Sequence, residues 1–99
     1  MSAPRSEAAV AGANVEISGS MTMANAAALL AQGVTALDAG RATFDLAGIT
    51  EVDSSGLAVM FGWQRAAQAQ GKSLAVVNPP HNLRSLADVY GVTELLPLS

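Results

Sequence analysis

Apolar and polar positions alternate, cluster and break along this chain in a helix-and-strand order. Val15 and Ile17 share one face at a period of two, which predicts a strand over 15–18. Ala8 to Ala11 precede it across Gly12-Ala13-Asn14, whose residues suit a tight turn, so this region reads as a hairpin or two short strands. Ser18-Gly19-Ser20 breaks the run. Ala26, Leu29, Leu30 and Gly33 then recur as one face of a helix over about 22–36, with Thr22 placed as its N-cap. Asp38-Ala39-Gly40 closes that segment.

A second strand is expected over Arg41 to Leu46, with Phe44 and Leu46 on one side and Asp45 on the other. Gly48 to Val52 reads as a bend whose Ile49 and Val52 plug the core. Leu57, Met60, Phe61, Gln64 and Ala67 line a helix over about 55–70, with Val59 and Trp63 in a second row and Gly71 at its C′ position. Lys72 to Asn78 (KSLAVVN) is apolar on both faces, as an interior parallel strand is. Asn78 and Pro79 can open a last helix carrying Leu83, Leu86, Ala87 and Tyr90, stopped by Gly91. Val92 to Leu98 then forms a closing strand or helical turn. Residues 1–6 read as a disordered tail and residues 7–99 as a single α/β domain, with a mixed, mostly parallel sheet.

Composition narrows the function. The 99 residues are 51% hydrophobic and 13% charged, which argues against disorder and for a well-buried core under a lightly charged surface. The net charge is −3, with five Lys and Arg in no cluster, so a phosphate backbone has nothing to bind. The absence of cysteine removes disulfides, thiolate nucleophiles and thiolate zinc sites. No run is long and apolar enough for a signal peptide or a bilayer span, and nothing is both basic and amphipathic enough to sit on a membrane. The expectation is a cytoplasmic protein without direct membrane insertion, held at the inner face of the inner membrane if it works through a transporter complex.

The one stretch suggestive of chemistry is Asp53-Ser54-Ser55-Gly56, between the second strand and the middle helix. Hydroxyls there lie beside N–H groups with no intrahelical partner, at the positive end of the helix dipole. A serine so placed can accept phosphate. The plainer alternative is that Asp53 or Ser54 caps the helix and Gly56 permits a close approach. Catalysis finds little support. His81 is the lone histidine, the G-x-S-x-G arrangement is missing, Asp45 and Asp53 are too few for a metal, and Gly48 and Gly56 lack the spacing of a P-loop. No cofactor is expected. Trp63 is either core or an interface anchor.

The motif VDSSGLAVMFG, Val52 to Gly62, resembles the signature of STAS domains, the fold of the anti-anti-sigma factors. VEISG (15–19), TFDLAGITEVD (43–53) and the segment from Gly71 to Pro97 are similar to the family's other elements in order. The resemblance implies the STAS fold, a mixed sheet with helices mainly on one face, and a non-catalytic binding partner. Two branches are implied. In one, a small STAS subunit binds and supports the cytoplasmic ATPase of an Mla-type phospholipid-transport ABC transporter. In the other, an anti-sigma factor kinase phosphorylates the second serine of DSSG, here Ser55, with Ser54 the second candidate. The stretch SGSMTMANA, Ser18 to Ala26, lacks the acids of the regulatory branch's SGELD, and the tail LADVYGVTELLP looks closer to the transporter subunit. The implied partner surface is Asp53, Ser54, Ser55, Gly56, Val59 and Trp63.

Overall fold

A computed structural model describes residues 14–98. The elements are β1 (Asn14–Met21), α1 (Ala26–Asp38), β2 (Thr43–Val52), α2 (Ser54–Ala69), β3 (Ala75–Val77), α3 (His81–Val89) and a 3₁₀ turn, Thr93–Leu95. The tail and the hairpin partner expected over Ala8 to Ala11 lie outside the described residues.

The sheet order is β1-β2-β3, and both pairings are parallel. Each strand is followed by a helix, the connection that parallel neighbours require. Phe44 stands in register with Val15 on one side and Val76 on the other. Phe44 and Val76 are fully buried, and with Ile17, Leu46 and Ile49 they form the sheet's side of one core. The alternate positions, Glu16, Asp45 and Val77, face the other way. The three helices pack to one side, so β3 is not covered by helices on both faces as its composition suggested. It is also shorter than expected, because its pairing on β2 spans only Thr43 to Asp45, with a single parallel bridge from Val76 to Leu98 on its far side.

Two expected breaks are strand. Ser18-Gly19-Ser20 belongs to β1, and Gly48 to Val52 belongs to β2. The glycines serve irregularities in the ladder instead: the register shifts between Glu16 and Ser18 and again between Gly19 and Ser20, where Gly19 has φ +102°. The first helix begins at Ala26, not Thr22. Residues 22–25 form a turn closed by the Asn25 N–H on the Thr22 carbonyl at 2.9 Å. The last helix begins at His81, not Pro79. A residue before proline is disfavoured in the α region, so Pro79 cannot start a helix that Pro80 continues.

All three helices end alike. The N–H groups of Gly40, Gly71 and Gly91 bond back to Leu37, Gln68 and Asp88, and those of Arg41, Lys72 and Val92 reach Ala36, Ala67 and Ala87. This is the Schellman pattern, and each of those glycines has positive φ. Lys72 also extends its ammonium to the Leu37 carbonyl at the C-terminal end of α1, where a cation is favoured.

The seam between α1 and α2 is built on two glycines. Trp63, on α2, lies over Gly33 of α1 and donates its indole N–H to the Leu29 carbonyl at 3.0 Å. Its ring meets Phe44 edge-on, with centroids 5.0 Å apart and planes at 86°, a favourable aromatic geometry. In return, Leu30 of α1 packs onto Gly62 of α2. Trp63 is 0% exposed and Val59 is 3% exposed. Both are core residues. Their inclusion in the partner surface is corrected: neither has area to offer.

Candidate functional site

The parallel strands β1 and β2 end side by side at Met21 and Val52, and α2 starts immediately beyond. Asp53 is the residue that joins these parts. Its N–H donates to the Met21 carbonyl at 3.1 Å, which extends the ladder by one step. Its backbone is extended, with φ −125° and ψ −171°, the conformation of an N-cap. One carboxylate oxygen, Oδ1, accepts the Ser55 N–H at 2.8 Å, satisfying a donor that the helix leaves unpaired. The other, Oδ2, accepts the Met23 N–H at 3.1 Å, across thirty residues of sequence. One side chain therefore caps α2 and pins the β1–α1 loop to its mouth.

The charge of Asp53 is set by these contacts. The Met23 N–H bond is the largest influence holding its carboxyl below its ordinary value of 3.8, partial burial opposes it, and the N–H and hydroxyl of Ser55 add to the lowering. The group is ionised at neutral pH, where the helix N-terminus favours an anion.

The serines differ. Ser55 is half-buried, and its N–H is bonded to Asp53. Ser54 is exposed. Gly56 is buried against the end of β1, where a Cβ would lie 3.0 Å from Val52 Cγ1 and 3.2 Å from the Met21 carbonyl oxygen. Capping and close approach thus account for Asp53 and Gly56, and leave Ser54 without a structural duty.

The exposed edge of α2 is the complement of its buried stripe. Ser54, Ala58 and Arg65 are exposed and Phe61 is half-buried, at spacings of four, three and four that hold them on one side of the helix. Ala58 and Phe61 therefore take the place on the surface that Val59 and Trp63 vacate. The same spacing was available in the sequence as the counterpart of the apolar rows. Met23 is the residue sequence reasoning missed altogether. It is 78% exposed beside the turn, with its N–H on Asp53.

The other candidates stand apart from the turn. His81 is exposed, with Nε2 3.3 Å from Ser85 Oγ on its own helix. Asp45 accepts from the Ala47 N–H at 2.9 Å and from Asn78 Nδ2 at 3.1 Å, on the helix-free face of the sheet. Among the described residues, no three His, Cys, Asp or Glu side chains group as a metal site would require, and no helix is long and apolar enough to cross a membrane.

A family model described as "Mlab, STAS domain" matches residues 5–97. The chain belongs to that STAS family. The assignment agrees with the motif that carried the resemblance, Val52 to Gly62, and places the chain in a non-catalytic domain family. Among solved structures it is similar to the anti-sigma factor antagonist SpoIIAA in its unphosphorylated form, at 19% identity and a TM-score of 0.56, over 76% of this chain and 71% of that one. At that identity the likeness establishes the STAS fold alone. None of the curated proteins matches.

Proposed function

We propose that this STAS domain is the small accessory subunit of an Mla-type phospholipid-transport ABC system, and that it binds and supports the cytoplasmic ATPase. The observation that carries the reading is the family match over 5–97, nearly the whole chain, under the Mla-related description. The site supports it. A lightly charged turn with a free hydroxyl at Ser54 and small, partly apolar neighbours at Ala58 and Phe61 suits contact with protein. No acid occupies the first turn of α1. The subunit then works at the inner face of the membrane through the transporter, without touching lipid itself.

Co-expression with an Mla-type ABC ATPase from the same organism tests the proposal. The two proteins should purify together, and the ATPase should lose thermal stability and turnover when the STAS subunit is withheld. An ATPase that neither binds the subunit nor changes with it sinks the reading.

One observation favours a second role, as an anti-sigma factor antagonist switched by a kinase: the turn keeps an exposed serine at a helix mouth. Exposure makes Ser54 the accessible acceptor. A phosphate on Ser55 would face the Asp53 carboxylate, setting two anions at one helix N-terminus. Incubation with the cognate kinase and ATP, followed by mass spectrometry of the 52–65 region, decides between Ser54, Ser55 and neither.

A further inference from the structure

Met21 and Met60 are fully buried, whereas Met23 is 78% exposed. Its place is not a slack loop. Met23 stands second in the turn closed by Asn25 N–H on the Thr22 carbonyl, and its own N–H is fixed to Asp53 Oδ2. Asn25 Nδ2 bonds the Ser20 carbonyl at 3.1 Å, and Ser20 Oγ bonds Glu51 Oε1 at 3.1 Å, so the turn is laced to both strand ends. A flexible, polarizable, apolar side chain is thereby held in water on a braced backbone. That arrangement raises the cost of solvation and spares the entropy of ordering on contact.

Two acids stand beside it. Glu51 is exposed at the end of β2, and Asp53 is ionised at the mouth of α2. Arg41 precedes β2 and Lys72 follows α2, so both belong to the opposite end of the parallel strands, and Arg65 lies about three turns down α2.

Resting on the ATPase-binding reading, we infer that the partner's contact surface is an apolar recess that receives Met23, rimmed by lysine or arginine opposite Glu51 and Asp53. Met23 supplies the buried anchor and the two acids supply orientation and encounter rate.

The test is a binding titration of the intact subunit on the immobilised ABC ATPase at low and high salt. Met23→Ala should weaken binding about tenfold. Glu51→Lys should weaken it at low salt, with the difference narrowing as salt screens the rim charges. Glu94→Lys, the same charge change on the exposed 3₁₀ turn, should leave binding as it was. Both tested side chains are exposed, so circular dichroism should report an unchanged fold. Equal affinity for all four proteins would overturn this partner chemistry and leave the ATPase reading standing. A wild-type subunit that fails to bind the ATPase overturns both.

Discussion

Trp63 and Gly33 fit together because one of them has no side chain: a Cβ built on Gly33 would lie 2.1 Å from the indole Nε1. Two further contacts hold that indole, its hydrogen bond to the Leu29 carbonyl and its edge-on packing with Phe44, so the ring has nowhere to retreat. Gly33→Ala should therefore destabilise the fold by about 1–3 kcal/mol despite alanine's better helix propensity. Gly62→Ala is the contrast. The atom its Cβ would meet is the tip of Leu30, at 2.7 Å, and a half-buried leucine can change rotamer. Its effect should stay within about 1 kcal/mol, since the propensity gain offsets the repacking. Urea unfolding followed by far-UV circular dichroism measures both, and equal losses would show that the indole is freer than its contacts indicate.

Asp53→Asn separates charge from capping, because asparagine also caps helices well. The native carboxyl titrates below its ordinary value of 3.8, so its ionised form stabilises the fold above that value. The contribution is lost as pH falls through the lower native pKa. Wild type should exceed Asp53→Asn in stability at pH 7, and the two should converge as pH falls through the lowered native pKa. A gap that persists undiminished in acid would assign the difference to shape.

Ser54 and Ser55 should answer substitution in opposite ways. Ser54→Trp changes an exposed side chain and should move stability by no more than about 0.5 kcal/mol, yet it should abolish capture of the ABC ATPase. Ser55→Ala removes a half-buried hydroxyl that helps hold the Asp53 carboxyl below its ordinary value and should lower the melting midpoint while leaving capture largely intact. A pulldown beside a thermal melt reads both. Retained capture by Ser54→Trp would remove the turn from the interface.

Gly19→Ala tests the irregular ladder of β1. Nothing lies within 4 Å of a Cβ there, so sterics from neighbours play no part. With φ at +102° the backbone itself resists a side chain, at a cost of about 1–3 kcal/mol. A substitution without effect would mean that the bulge can be ironed out.

The legible parts of this fold are those decided by near neighbours. The Asp53-Ser54-Ser55-Gly56 turn and Gly71 bracket α2 to within one residue of the expected span, because caps act over three or four positions. The STAS motif lies in the same stretch. What stayed hidden depends on partners far along the chain. Glycine marks a chain reversal and a bulge with the same letter, so Gly19 and Gly48 read as breaks in strands that in fact continue. Trp63 could not be sorted between core and surface without Gly33, thirty residues away. The Asp53–Met23 bond has the same span, and with it went the position of Met23.

The protein contains one tryptophan, and it is the residue wedged between the two central helices. Its emission is thus a ready reporter of that single seam. Parting of α1 from α2 should redden it, while an event confined to the mouth of α2 should pass unseen, so light alone can separate loss of the scaffold from occupation of its working end.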